Sequence, residues 1–411
     1  MRSVDTPVKV AVESSPPTQS SSSYRIDSID LVRGLAMVLM VLDHVRHFFS
    51  DSLELSPTNL SESGAALFLT RWITHFCAPA FIFLAGTSAF LSGRRGRTTN
   101  ELALFLLTRG VWLIVLELAV VRCLGWTFNV DYHYSMGGVL WALGWSMICL
   151  AALIYLPRWA IAAFGIAMIA SHNLFDDVTV KSMGTLGWLW KILHRPGVIE
   201  FAPGYHFKVA YPLIPWIGVM AAGYAFGVYF TRATTLRRKW LLSIGVTLLV
   251  AFMVLRAFNL YGERRVWSAQ SDPVFTVLSF INCSKYPPSL LFLLMTLGAV
   301  IIALALFDRS SRFWKPIIVV GRVPLFFYLL HLPLIHAVAV LCSYWQYGQA
   351  PWLFANPPLS RSQALFYPED YGYSLPVIYL VWLGVSLLLY PCCLWFARIK
   401  QRSRTPWLAY L

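Results

Sequence analysis

The sequence predicts an all-α fold: a polytopic integral membrane helical bundle of about ten transmembrane helices, with both termini cytoplasmic. Three observations carry this expectation. Of the 411 residues, 58% are apolar and only 13% charged, with a mean hydropathy of +0.62, which takes the chain out of the soluble class. Apolar runs near the roughly 20 residues needed to cross a bilayer core of about 30 Å recur along its length. The formal charge of +14 falls almost wholly on one side once those runs are threaded through a membrane.

Residues 1–24 are polar and rich in Ser and Pro (ESSPPTQSSSS), with no run long enough for a signal-peptide core. They read as a disordered cytoplasmic tail, and the first apolar run as an uncleaved span. Spans are expected near 31–49, 67–92, 103–122, 139–156, 159–173, 211–230, 240–258, 288–307, 316–342 and 375–397, the fifth being short. Residues 25–398 then form the transmembrane domain and 399–411 a basic cytoplasmic tail. Two long outer loops, about 174–210 and 259–287, are rich in Gly, Pro and aromatics (HRPGVIEFAPGYHF; NLYGERRVWSAQSDP) and are expected to pack over the outer mouth of the bundle. No internal repeat is visible, which counts against transporters built from inverted repeats.

With the N-terminus inside, every dense basic cluster is cytoplasmic: Arg94, Arg95 and Arg97; Arg232, Arg237, Arg238 and Lys239; Arg309, Arg312 and Lys315; and Arg398, Lys400, Arg402 and Arg404. The inner side collects 21 of the 33 Lys and Arg but only 6 of the 19 acidic residues. That is the positive-inside pattern, so the charge reports orientation and no nucleic-acid partner is expected. The seven cysteines are scattered, without a CxxC pair, which argues against a disulfide framework or zinc module. There is no P-loop, GxGxxG, HExxH or GxSxG, and no metal is expected.

All nine histidines fall in outer loops or outer halves of spans. Ionisable groups within spans are costly and usually face a cavity, so the pattern points to an outward-facing polar site. The first span, SIDLVRGLAMVLMVLDHVRHFFSD, places Arg33 and His44 eleven residues apart: three turns plus about 20°, hence one face, separated by roughly 16 Å. Two readings stand. Arg33 and His44 each snorkel to their nearer surface, or they line a groove that grips an anionic cofactor from inside and presents its reactive end to His44. Asp43 lies four residues before His47 and diverges from His44 by about 100°, so a contact to His44 has to come from another span. In the second span Arg71 and His75 are i,i+4 neighbours, with Pro79 expected to break a backbone bond just below them. Gly86, Thr87 and Ser88 read mainly as helix-packing residues. Lys285 and Tyr286 precede Pro287 and Pro288, which suit the first turn of the eighth span. His331, beside Pro333, lies deep enough in the ninth span to need a partner. Glu117 in the third span falls under the same expectation of a partner, and Tyr328 and His336 either line the cavity or pack.

The run RIDSIDLVRGLAMVLMVLDHVRHFF, then LFLTRWITHFCAPAFIFLAGTSAFL, YPLIPWIGVMAAGYAFG, KYPPSLLFLLMTLG and FFYLLHLPLIH, resembles bacterial membrane proteins with the heparan-alpha-glucosaminide N-acetyltransferase catalytic domain. The resemblance spans essentially residues 25–398. It implies an enzyme that takes an acyl group, acetyl first of all, from cytosolic acetyl-CoA or another acyl-CoA and delivers it to a sugar or glycan acceptor across the membrane. The wider transmembrane acyltransferase superfamily has an Arg-x10-His pattern in its first span, which Arg33 and His44 match. The resemblance thus gives His44 the catalytic position and Arg33 a structural or CoA-side role. Around them, Asp43, His75 and His331 are expected to orient or polarise, while Lys285 and Arg71 stabilise an oxyanion or hold an acidic acceptor. Tyr286 and His47 join the acceptor side. The partners implied are acyl-CoA, a saccharide and the lipid bilayer of a bacterial inner membrane, with homo-oligomerisation left open. A competing reading is a proton-coupled transporter or flippase of a sugar or lipid-linked intermediate, with Asp43, His44 and His331 as the proton relay.

Overall fold

The computed structural model describes residues 26–53, 55–309, 312–357 and 367–403, together with 405, 408 and 410. The expected tail 1–24 lies outside the described residues. In chain order the helices are α1 (Asp27–Phe49), α2 (Ala65–Ile73), α3 (Cys77–Gly93), α4 (Thr99–Val115, continued by a wider π-helical stretch Leu116–Thr127), α5 (Val139–Leu153), α6 (Arg158–Ser171), α7 (Gly187–Leu193), α8 (Leu213–Phe226), α9 (Thr234–Ala257), α10 (Pro273–Ile281), α11 (Leu290–Leu306), α12 (Lys315–Arg322), α13 (Pro324–Tyr347), α14 (Pro351–Phe354) and α15 (Leu375–Arg402). Among the described residues six helical segments are long and apolar enough to cross a membrane: Ala65–Gly93, Thr99–Thr127, Leu213–Thr231, Thr234–Ala257, Pro324–Tyr347 and Leu375–Arg402. Val139–Leu153 and Leu290–Leu306 are apolar but shorter.

Helix starts follow local chemistry. Thr98 and Glu101 form a reciprocal capping box at the start of α4, with Thr98 N donating to Glu101 Oε2 at 2.8 Å and Glu101 N donating to Thr98 Oγ1 at 3.2 Å. Ser289 caps α11 by accepting from Phe292 N at 3.1 Å. Pro287 and Pro288 therefore precede the helix instead of opening it. The short fifth run appears as α6, 14 residues long.

The 67–92 run is broken at Thr74–Phe76, ahead of Pro79. Pro79 itself sits in the first turn of α3, where a missing N–H has no intrahelical partner to lose. The 316–342 run is likewise two helices. Pro324 opens α13 and drives Val323 out of helical geometry (φ −130, ψ 50), because the ring clashes with a preceding α-conformer.

The all-α expectation needs one correction. A small sheet forms from β1 (Tyr134–Gly137), β2 (Gly197–Ala202) and β3 (Tyr205–Val209), in the order β1-β3-β2, with β1 parallel and β2 antiparallel to β3. Hydrophobic periodicity of the spans is silent about it, because the strands lie in connecting segments. Gly204 at φ +77 supplies the left-handed residue in the tight β2–β3 turn.

α1 runs through the centre and packs against α3, α12, α13 and α15, with Leu31, Val41 and Val45 wholly buried. Close backbone approach fixes its neighbours. A Cβ at Gly321 of α12 would stand 1.7 Å from Asp30 O, and one at Gly223 of α8 only 2.1 Å from Phe83 O of α3. Exposed Leu380, Leu383 and Leu387 on α15 and Val246, Val250 and Met253 on α9 present an apolar outer surface, suited to lipid.

Candidate active site

α1 delivers His44 and α13 delivers His331 to one point. His44 Nδ1 lies 2.7 Å from His331 Nε2, with ring centroids 4.9 Å apart and nearly parallel. His331 is fully buried. Its Nδ1 faces carbonyl oxygens only, Tyr328 O at 2.6 Å and Phe327 O at 3.2 Å. A carbonyl cannot donate, so Nδ1 of His331 carries the proton and, in the neutral ring, Nε2 accepts. His44 Nδ1 must then be the donor between the rings. In the neutral His44 ring Nε2 then bears the lone pair, the form required of a general base or nucleophile.

Trp126, from the π-helical stretch, stands edge-on to His44 (centroids 5.3 Å) and to His47 (5.2 Å). π-Helical stretches often mark functional sites, but nothing in the spacing of Trp126 singles it out in sequence.

Asp43 points away from the imidazoles. It accepts from Arg46 at 3.1 Å and from Arg71 of α2, and it makes no hydrogen bond to His47 among the described residues. The i+3 guanidinium and the one from α2 supply permanent charge, which a neutral imidazole cannot match. Lys285, buried in the bend before α11, is close enough to act electrostatically on Asp43, His44 and His75. Beside it Tyr286 donates its hydroxyl to Tyr211 at 3.3 Å. Burial works to raise the Tyr286 phenol, but the cations Lys285 and Arg71 outweigh it and hold it below its ordinary value. Arg46, Arg71 and Lys285 thus surround a single carboxylate, leaving a cationic rim beside His44. His47 is exposed on the same side. His75 is not part of the imidazole pair: it is buried, its Nδ1 has no hydrogen-bond partner, and its ring lies 5.5 Å from Phe292.

Arg33 lies at the other end of the α1 axis. It lines a cavity of about 1000 Å³. Its guanidinium donates to Asp30 at 3.1 Å, Gly321 O at 3.2 Å and Ser88 at 2.8 Å, so Ser88 serves the cavity wall, whereas Gly86 and Thr87 pack on α8. Arg94, Arg95, Arg322 and Lys400 share the lining near the mouth, giving a basic entrance fit for phosphate groups. Following each wall helix away from that mouth reaches Met37, Phe81, Leu113, Leu140 and Tyr328, an almost wholly apolar end. Glu117 braces it. Its carboxylate accepts from Leu140 N at 2.9 Å, capping α5 from a neighbouring helix where Gly138 offers no side chain.

Fold and site together define a polytopic integral membrane protein with a pair of imidazoles, His331 buried and His44 half-buried, between a phosphate-suited cavity and a cationic rim. The chain belongs to the heparan-alpha-glucosaminide N-acetyltransferase catalytic family, whose sequence pattern matches residues 25–262, more than half its length. It is thereby placed among membrane acetyltransferases. Arg33, Asp43, His44, His47, Arg71 and His75 lie within the matched stretch, while Lys285, Tyr286 and His331 lie beyond it. No curated protein matches the chain.

Proposed function

We propose that the protein transfers an acyl group, acetyl first of all, from acyl-CoA bound in the basic cavity to a saccharide acceptor that reaches His44 from the opposite side. The observation that carries this reading is the His44–His331 pair, which leaves the Nε2 lone pair of His44 available. The acceptor's hydroxyl or amine attacks the thioester carbonyl carbon and gives its proton to His44 Nε2, while the carbonyl π pair moves to oxygen. When the tetrahedral intermediate collapses, the C–S bond breaks and the departing thiolate takes that proton. His331, accepting from His44 Nδ1–H, steadies the imidazolium that forms in between. Arg33 and the basic mouth hold the CoA phosphates. Arg71 and Lys285, with Tyr286 and His47 nearby, hold an acidic acceptor, and Asp43 and His75 serve as supports around them.

In this reading the basic end faces the cytoplasm, both termini are cytoplasmic, about ten segments cross the membrane, and the membrane is a bacterial inner membrane. The positive-inside distribution supports the orientation. The test is binding: CoA and acetyl-CoA are expected to raise the thermal stability of the purified protein, and labelled acetyl is expected to leave CoA in its presence. A sugar transporter ignores both compounds, and that result overturns the proposal. Labelled acetyl trapped on the protein after a rapid quench identifies a two-step route through acyl-His44; its absence during turnover identifies direct transfer.

A further inference from the structure

The donor cavity and the imidazole pair meet at one side chain. Tyr328 lies in the deep end of the cavity, where Met37, Phe81, Leu113 and Leu140 offer no hydrogen bond. Tyr328 is only 4% exposed, yet its hydroxyl makes no hydrogen bond among the described residues. The hydroxyl is not among the side-chain atoms sealed from solvent without a partner; it opens on the cavity that Tyr328 lines, where it can donate to a bound group. At the same time Tyr328 is built into the catalytic pair. Its carbonyl accepts from His331 Nδ1 at 2.6 Å and its ring stands 5.2 Å from the His331 ring, edge to face. With His331 and His44 centroids 4.9 Å apart, these two separations bring the phenol within about 10 Å of His44 at most. Met37 of α1 shares the deep end and precedes His44 by seven residues, about 10 Å along the helix. The reacting carbonyl of a donor threaded from the basic mouth therefore arrives at Tyr328 before it comes within reach of His44.

We propose that Tyr328 is a catalytic residue whose hydroxyl donates a hydrogen bond to the thioester carbonyl oxygen and to the oxyanion that develops from it. This rests on the reading of the cavity as the acyl-CoA site. As the acceptor's lone pair forms its bond to the carbonyl carbon, the π pair moves onto oxygen beside the phenol O–H. The phenol keeps its proton throughout, and the pair returns when the C–S bond breaks. A neutral donor at the apolar end of the cavity suits this task, because the ring that carries it is packed on His331 and the developing charge is weakly screened there. Glu117, by accepting from Leu140 N, braces the start of α5 where Leu140 joins Tyr328 in the cavity lining.

Tyr328→Phe tests the assignment while keeping the ring that packs on His331. In full-length purified protein, turnover of acetyl-CoA is expected to fall about 100-fold or more, as for loss of one oxyanion donor. The KM for acetyl-CoA and the affinity for CoA are expected to stay within about twofold, since the interaction is strongest in the transition state. The infrared carbonyl band of acetyl-CoA, isotope-labelled at the thioester, is expected at lower frequency bound to the wild type than in water, and to return toward the free position in Tyr328→Phe. Wild-type turnover in the variant overturns the assignment, as does an unshifted band in the wild-type complex, a result that does not depend on the variant's folding. A wild-type protein that neither binds CoA nor consumes acetyl-CoA overturns the donor-site reading itself, which is a different result.

Discussion

His44 Nδ1 donates to His331 Nε2 across 2.7 Å, and His331 in turn donates from Nδ1 to the Tyr328 carbonyl. An imidazole thus occupies the orienting position behind the His44 ring, while the neighbouring carboxylate, Asp43, is committed to Arg46 and Arg71. The arrangement fixes the tautomer of His44 without placing a negative charge in the bundle, where a buried charge is expensive.

If the two rings act as a unit, their losses are not additive. His331→Ala is expected to lower kcat by about 100-fold or more while the KM for acetyl-CoA changes little, and the His44→Ala/His331→Ala double variant is expected to be no slower than His44→Ala alone. Steady-state kinetics on the three variants checks this. Multiplying losses contradict it.

Asp43 is the counter-charge for two guanidiniums. Asp43→Asn is expected to cost about 3 kcal/mol, because it leaves Arg46 and Arg71 without their shared carboxylate in a largely buried setting. Asp43→Ala combined with Arg71→Ala is expected to lose less than the sum of its parts. Denaturation of the four proteins in one detergent gives the coupling.

Arg33 is tied to Ser88 and to the α12 backbone, which holds its guanidinium at the cavity wall. Arg33→Ala is expected to raise the KM for acetyl-CoA about tenfold or more, the scale of a charge-assisted hydrogen bond, with a smaller effect on kcat. Weakening of CoA binding by added salt is expected to be shallower in the variant than in the wild type.

Much of the frame is legible in the sequence because it depends on local pattern. Apolar runs mark the helices, and the Arg33–His44 spacing marks an axis with a cation at one end and an imidazole at the other. The remainder depends on contacts between distant segments. His331 can be flagged as needing a partner, but only the packing of α13 on α1 identifies that partner as His44. Asp43 looks available to His47 by helical spacing until Arg71 arrives from α2. Trp126, Tyr211 and the α5-capping role of Glu117 leave no motif at all, since each is defined by what faces it. The sheet escapes for a related reason: β1 and β3 are about 70 residues apart in sequence, and short strands gain stability chiefly from pairing.

The segment between α7 and β2 is expected to respond to acid. His194 is buried, its Nε2 donates to His172 O at 2.9 Å, and its Nδ1 has no partner. Burial lowers its pKa in the folded state, against the smaller raising effect of the bond to His172 O. An unfolded chain then binds more protons than the folded one, so this contribution is fully present above the unfolded pKa of about 6.5 and diminishes as pH falls through it toward the folded value. Melting temperature is expected to drop on moving from neutral to mildly acidic buffer. His194→Gln, which keeps an N–H for the His172 carbonyl, is expected to flatten that dependence, and an unchanged pH profile in the variant contradicts it.

In the proposed reaction the His44 imidazole performs the chemistry at the end of a donor cavity it does not itself build. Turnover of labelled acetyl-CoA by His44→Ala, measured alongside CoA affinity on the same preparation, addresses it most directly. The expected result is loss of turnover by about 100-fold or more, the scale of a missing general base, with CoA binding retained. Wild-type turnover in His44→Ala contradicts a catalytic role for His44.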